Sequence, residues 1–176
     1  MSIRIARLAL VALLLVAAGS LAGCGYALVG TSSNLPPEVQ KIYLSPLENA
    51  TRRSEVEQIL TRSLSEELLS RKRFTVVNDA HQADAVLSGR VIGFDTSPLT
   101  FDQEGRATQY QITILVSMLF KDKADKVLWQ NDRYVYKESY PVDPSEQTYF
   151  DREKIAIQQA SVNFARTMVI DLLEGF

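Results

Sequence analysis

The strongest pattern in the chain is the run YQITILVSMLF at residues 110–120. Every even-numbered position is apolar, whereas Gln111, Thr113 and Ser117 stand among the odd-numbered ones. Successive side chains of a β-strand point to opposite faces of its sheet. The run therefore predicts a long strand with one buried face and one half-polar face, and the half-polar face is open to water or to a partner's polar surface.

The residues on both sides of this strand continue the pattern. The charged segment 121–126, KDKADK, predicts a hairpin connection, and Val127–Tyr136 predicts a returning strand. The alternation fails at Gln130–Arg133, which indicates a bulge there. Residues 147–173 carry apolar side chains at helical spacing and predict a helix that lies on the sheet.

The first half of the domain predicts a strand–helix–strand–strand order. Ser54 and Glu57 have capping-box spacing, and apolar residues then recur at helical spacing as far as Arg71. Thr96 to Arg106 reads as a polar loop. Three strands are expected here: Lys41–Leu44, Phe74–Val77 and Asp84–Asp95, the last with Gly89 and Gly93 as possible sites of bulges.

The predicted order is β-α-β-β-β-β-α. Two helices are too few to cover both faces of a sheet of this width, so we expect them on one face. The fold class is therefore α/β, of the α+β kind. The architecture is a two-layer sandwich in which a four- to five-stranded mixed sheet carries two helices on one face.

The N-terminus has the features of a lipoprotein signal peptide. Arg4 and Arg7 precede an apolar run, Leu8–Ala18, that is too short to span a bilayer. Leu21-Ala22-Gly23-Cys24 then forms a lipobox. We expect residues 1–23 to be removed, Cys24 to carry diacylglyceryl and N-acyl chains, residues 24–38 to form a linker, and residues 39–176 to form a single domain.

The lipid anchor and the charge restrict the possible functions. Several acyl chains attach a protein durably to a membrane, whereas a single chain does not. By resemblance to the sorting rule of Gram-negative lipoproteins, Gly25 after the cysteine favours the outer membrane over retention in the inner one. Loss of Arg4 and Arg7 changes the net charge from −2 to −4, which argues against nucleic-acid binding. Cys24 is the single cysteine, so no disulfide is expected.

The sequence offers little catalytic chemistry. His81 is the single histidine and lies in a polar stretch, without a second histidine or a cysteine for a metal site. The Ser88-Gly89 pair lacks the first glycine of a nucleophile elbow, because Val86 occupies that position. We expect neither an enzyme nor a metal, and no cofactor beyond the covalent lipid.

Two basic clusters have two possible interpretations. Arg71-Lys72-Arg73 ends the first helix, where cations complement the helix dipole. Lys121, Lys123 and Lys126 decorate the hairpin, where their ordinary role is solubility. The alternative is that either cluster, or Arg106, meets the anionic phosphates of a lipid head group.

Two segments resemble a known family. Cys24-Gly25-Tyr26-Ala27-Leu28 at the mature start, and the G-x-A-x-x-Y segment Gly105–Tyr110 before the long strand, resemble the LptE family of lipopolysaccharide-assembly lipoproteins. The resemblance extends over residues 21–176. It implies an outer-membrane lipoprotein that faces the periplasm, plugs the LptD β-barrel, assists its assembly and binds lipopolysaccharide. Candidate lipopolysaccharide contacts are Arg106, Lys121, Lys123 and Lys126.

A second hypothesis stays open at this point. Small lipoproteins that activate cell-wall synthases or build secretion pores also begin with a strand and a helix, and Ala83–Gly89, ADAVLSG, fits their next strand. The long alternating strand after Gly105 and the charged hairpin favour the LptE resemblance.

Overall fold

The computed structural model describes residues 35–143 and 149–174. The predicted signal peptide, Cys24 and most of the predicted linker lie outside the described residues. Leu35 and Val39 are both buried in the hydrophobic core. The last residues of the predicted linker therefore pack against the domain.

Within the described residues, the domain contains six strands and two helices. The elements in chain order are β1 Lys41–Leu44, β2 Glu48–Asn49, α1 Val56–Ser70, β3 Thr75–Val77, β4 Ala85–Phe101, β5 Ala107–Asp122, β6 Val127–Pro141 and α2 Tyr149–Glu174, with one 3₁₀ turn, Ala80–Gln82, before β4.

The strands form one mixed sheet in the order β3-β1-β4-β5-β6. β1 lies parallel to β3 and β4, whereas β4, β5 and β6 are antiparallel neighbours. The short β2 pairs in parallel with the middle of β4. Ile114 of β5 lies opposite Phe94 on one side and Tyr136 on the other, so β5 is the central strand of a long three-stranded ribbon.

The core lies between one face of this sheet and the two helices. The even-numbered side chains Ile112–Phe120 of β5 are fully buried, as are Leu60 and Leu64 of α1 and Phe164 and Met168 of α2. The fold-class prediction is confirmed, with both helices on one face. The sixth strand, β2, has only two residues and no sequence pattern indicates it.

The prediction of a polar loop at residues 96–106 is wrong. β4 continues to Phe101, which pairs with Ala107, and the turn occupies only residues 102–106. The backbone N–H and C=O groups of residues 96–101 can bond to β5 whatever side chains these residues carry. Pairing with the long apolar β5 therefore extends β4 through this polar segment. The Asp102 carboxylate closes the turn by accepting the N–H groups of Arg106 and Glu104, and the bond from Arg106 above all lowers its pKa.

The predicted capping box at Ser54 and Glu57 is also wrong. Glu55 is the N-cap, in a left-handed conformation with φ 66°, and no side chain caps the helix. Glu57 instead accepts a hydrogen bond of 2.6 Å from the Asn49 side chain of β2. The Glu57 carboxylate therefore bonds to a residue of β2 instead of completing the capping box.

The predicted bulge at Gln130–Arg133 is confirmed, because the register moves from Met118 opposite Asn131 to Val116 opposite Tyr134. Gly93 lies at a second shift of register, between Val91 and Gly93, whereas the sheet is regular at Gly89.

Candidate functional site

The face of the sheet that α1 and α2 do not cover is the candidate site, and we call it the open face. The predicted half-polar residues Gln111, Thr113 and Ser117 lie on it. The odd-numbered side chains of β5 are all partly exposed, while their even-numbered neighbours from Ile112 to Phe120 are buried. Pairing with β4 and β6 adds two flanking columns of side chains to this face.

The open face has an apolar part and a polar part. Leu115 lies opposite Val135 and beside the bulge at Ile92, and these two neighbours are 48% and 40% exposed. Further along the strands, Thr113 lies between Asp95 of β4 and Lys137 of β6. The result is an amphiphilic surface, apolar around Leu115 and polar around Thr113. The exposed Leu99 and Phe101 lie further along β4, next to the β4–β5 turn.

The structure does not bring the four candidate lipid-binding residues together. Arg106 lies in the β4–β5 turn and the three lysines lie around the β5–β6 turn, at opposite ends of β5. Sixteen residues of strand at about 3.3 Å each separate them by about 50 Å. Arg106 is also paired with Asp102 at 2.8 Å and with Glu104 at 3.4 Å. These four residues cannot form one phosphate site.

The lysines themselves have different surroundings. Lys121 lies on the open face opposite Val86, and its ammonium is 3.8 Å from the Asp125 carboxylate. Lys123 and Lys126 are exposed in the turn. The Asp122 carboxylate shapes that turn by accepting the N–H groups of Ala124 and Lys126 at 2.8 and 3.0 Å.

Hydrogen bonds join α2 to β6 on the face of the sheet that the helices cover. The Tyr134 hydroxyl donates to Asp171 at 2.7 Å, and the Tyr136 hydroxyl donates to Glu138, which also accepts from Asn163 at 3.1 Å. Burial, and then hydrogen bonding to a carboxylate, raises the pKa of both tyrosines. Both hydroxyls are therefore protonated donors at neutral pH, and the Tyr134–Asp171 and Asn163–Glu138 hydrogen bonds join α2 to β6 behind the open face.

His81 and Ser88, the residues considered for catalysis, take part in local hydrogen bonds that stabilise the fold. His81 is exposed in the 3₁₀ turn, as predicted, and its backbone N–H donates to the Asp79 carboxylate at 2.9 Å. The Ser88 hydroxyl donates to the backbone carbonyl of Leu119 at 3.4 Å. Among residues 35–143 and 149–174, no three His, Cys, Asp or Glu side chains are placed to hold a metal ion. No helix in the same ranges is long and apolar enough to cross a membrane.

Comparison with protein families identifies the chain. The model of LptE, Lipopolysaccharide-assembly, matches residues 39–172, which is most of the sequence and includes the whole sheet, α1 and nearly all of α2. The chain belongs to the LptE family. LptE proteins are non-catalytic lipoproteins of lipopolysaccharide assembly in the outer membrane. A comparison with curated proteins finds no significant match.

Solved structures with the same fold are distant in sequence. Protein XCC0632 from Xanthomonas campestris is 12% identical, with a TM-score of 0.53 over 79% of this chain and 87% of that one. A putative lipoprotein from Caulobacter crescentus is 15% identical, with a TM-score of 0.50 over 72% and 87%. At such identities these likenesses show the fold alone.

Sequence reasoning found the central column of the open face and missed its flanks. Arg90 of β4 lies opposite Ser117, and its guanidinium pairs with Glu48 of β2. Val135 and Lys137 of β6 reach the face only because the bulge resets the alternation after Arg133. In the sequence, only the alternation of side chains after that bulge indicates that Val135 and Lys137 lie on this face.

Proposed function

We propose that this LptE family member works in a complex with an LptD-like outer-membrane β-barrel and occupies the barrel lumen with its open face against the polar wall. The observation that carries the proposal is the open face itself. It is amphiphilic, and it is left uncovered by both helices. Barrel lumens are polar, so Gln111, Thr113 and Lys137 match their surroundings there.

The same face is suited to lipopolysaccharide, an amphiphile with acyl chains and phosphates. Leu115, Val135 and Ile92 offer apolar contact. Arg90 and Lys121 lie at the margin of this patch, paired with Glu48 and Asp125, and a phosphate that binds there would compete with these carboxylates. Of the four sequence candidates, Lys121 is the one that the open face supports.

The anchor at Cys24 completes the proposal. Lipid on this residue would hold the domain at the periplasmic surface of the outer membrane, where the barrel is found. Mass spectrometry of the mature N-terminus tests it directly, since an acylated Cys24 without residues 1–23 is expected, and an unmodified N-terminus would contradict it.

Co-purification from detergent-solubilised outer membranes tests the complex. We expect a large β-barrel to remain bound to the chain through purification. Recovery with a cell-wall synthase, or as a homo-oligomeric ring, would refute the proposal in favour of the other lipoprotein classes.

A matched pair of variants tests which face docks. Val135 on the open face and Ile155 on α2 are exposed aliphatic residues, at 48% and 68%. Val135→Arg is expected to reduce barrel recovery at least tenfold, because it places a charge in the contact, whereas Ile155→Arg is expected to leave recovery unchanged. Equal loss in both variants, or loss only with Ile155→Arg, would exclude the open face.

A further inference from the structure

The structure brings cations that are distant in sequence to one end of the domain, which we call the basic end. β1, β3 and β4 all begin there, α1 ends there, and the β5–β6 turn closes it. Three backbone hydrogen bonds join these segments: Thr75 N–H to Gln40 at 2.8 Å, Asp84 N–H to Lys41 at 2.8 Å, and Lys123 N–H to the Asp84 carbonyl at 3.0 Å.

Besides the exposed Lys41 at the start of β1 and the salt-bridged Arg71 and Lys121, four cations lie at the basic end. Lys72 and Arg73 follow α1, and Lys123 and Lys126 lie in the β5–β6 turn. All four are exposed, and none makes a salt bridge within the described part of the chain.

Most carboxylates at the basic end are already engaged by the fold. The Asp84 carboxylate accepts the N–H groups of Lys41 and Gln40, which lowers its pKa, and Asp122 accepts those of its own turn. Glu67 pairs with Arg71 and Asp125 with Lys121. The opposite end differs, because the turn at residues 102–106 carries Asp102 and Glu104 against a single cation, Arg106, that both of them engage.

The chain also enters the domain at the basic end. Leu35 is buried and leads through a tight turn, closed by the Val39 N–H to the Pro36 carbonyl at 3.1 Å, directly into β1. Ten residues lie between Cys24 and Leu35, and the eleven steps from one to the other, at about 3.5 Å each, span at most about 38 Å. A lipid on Cys24 therefore keeps the basic end near the membrane, while the other end of β5 lies about 50 Å further along the sheet.

We infer that the basic end rests against anionic phospholipid head groups of the membrane that holds Cys24, so that the long strands point away from its surface. The tether supplies the attachment and a high local concentration, so the cations only have to select an orientation. Each Lys or Arg beside an anionic surface favours contact by about fivefold. Because Glu38 and the engaged carboxylates oppose the four cations, we expect an overall preference of about tenfold.

The inference assigns Lys123 and Lys126 to phospholipid rather than to lipopolysaccharide. It rests on lipidation of Cys24 and is independent of the barrel. The complex of the preceding section can therefore fail in co-purification while this orientation is confirmed in vesicles, and the reverse also holds.

The test uses the lipidated chain in vesicles whose head groups carry a quencher. A fluorophore is placed at Ala124→Cys in the β5–β6 turn or at Gln103→Cys in the β4–β5 turn; Cys24, the only natural cysteine, is blocked by its lipid. We expect phosphatidylglycerol to increase quenching at position 124 and not at position 103. Salt at 1 M, where the Debye length is about 3 Å, is expected to abolish the increase.

Two variants, each with four substitutions, distinguish an effect of the basic end from an effect of the overall charge of the domain. Changing Lys72, Arg73, Lys123 and Lys126 to Gln is expected to reduce contact at position 124 about tenfold. The matched control changes four exposed cations elsewhere to Gln and is expected to have no effect: Arg52, Arg62, Lys154 and Arg166.

Three results would overturn the inference. They are quenching at position 124 that is the same in neutral and anionic vesicles, equal quenching at both labels, and an increase that only lipopolysaccharide-containing vesicles produce. Release of the chain from the vesicles would remove the tether and would overturn it as well.

Discussion

Replacing Gly89 with alanine is expected to destabilise the domain by about 2–3 kcal/mol, through crowding rather than backbone strain. A Cβ at this position would lie 2.3 Å from Met118 Sδ, 2.8 Å from the Ser117 carbonyl oxygen and 3.0 Å from Leu47 Cδ2. Met118 is fully buried and Leu47 nearly so. Adding a methyl group to a packed core costs about 1–3 kcal/mol. We expect the upper part of that range because a backbone atom of β5 belongs to the contact.

Two other glycines provide matched controls. At Gly93 the nearest atoms are side-chain carbons of Leu115 at 3.3 Å on the open face, so we expect alanine there to change stability by less than about 1 kcal/mol. At Gly105 nothing lies within 4 Å, but φ is +78°, so the cost of alanine is about 1–2 kcal/mol of backbone strain.

Urea unfolding followed by the fluorescence of Trp129, the single tryptophan and nearly buried, measures all three variants. Met118→Ala provides a further check. Combined with Gly89→Ala, it is expected to cost less than the sum of the single changes, because the two side chains compete for one space. A Gly89→Ala cost below that of Gly93→Ala would refute the packing argument.

Three further predictions concern polar contacts and backbone conformation. Tyr134→Phe is expected to cost about 1.5–3 kcal/mol by losing a hydrogen bond to the charged Asp171, and a double-mutant cycle with Asp171→Asn that shows no coupling would contradict this. The native pKa of Asp84 is lowered by the N–H groups of Lys41 and Gln40, so its contribution to stability is complete above about pH 4 and is lost as the pH falls through that native pKa. Acid titration of Asp84→Asn should show a smaller loss than the parent, and equal losses would count against the assignment. Asp125→Gly is expected to stabilise the β5–β6 turn by up to about 1 kcal/mol in urea unfolding, because Asp125 has φ 62°, and a destabilised variant would show that its carboxylate matters more than its backbone.

The charge at the basic end was visible in the sequence only as two separate runs. Arg71–Arg73 and Lys121–Lys126 are about fifty positions apart, and each has an ordinary local explanation. The parallel pairing of β1 with β3 and β4, together with the β4–β5 register, makes them neighbours. Long-range pairing of this kind has no signal in composition or in local periodicity.

Local sequence alone determined the elements whose side chains repeat with a clear period. β5, α2 and the strand at Lys41–Leu44 follow directly from alternation or helical spacing, because burial of one face selects the same residue types in any protein. The two-layer architecture followed from counting those elements. The half-polar column of the open face was also visible, since Gln111, Thr113 and Ser117 share one parity.

Only the tertiary structure decided the features that depend on a partner strand. Pairing with β5 extended β4 through a polar segment as far as Phe101. Asn49 of β2 forms a hydrogen bond with Glu57, which therefore does not cap the helix. The flanks of the open face, including Arg90 and Lys137, were set by the register on either side of β5. The physical reason is the same in each case: backbone hydrogen bonds between strands form without regard to side-chain type, so they place residues that no local pattern connects.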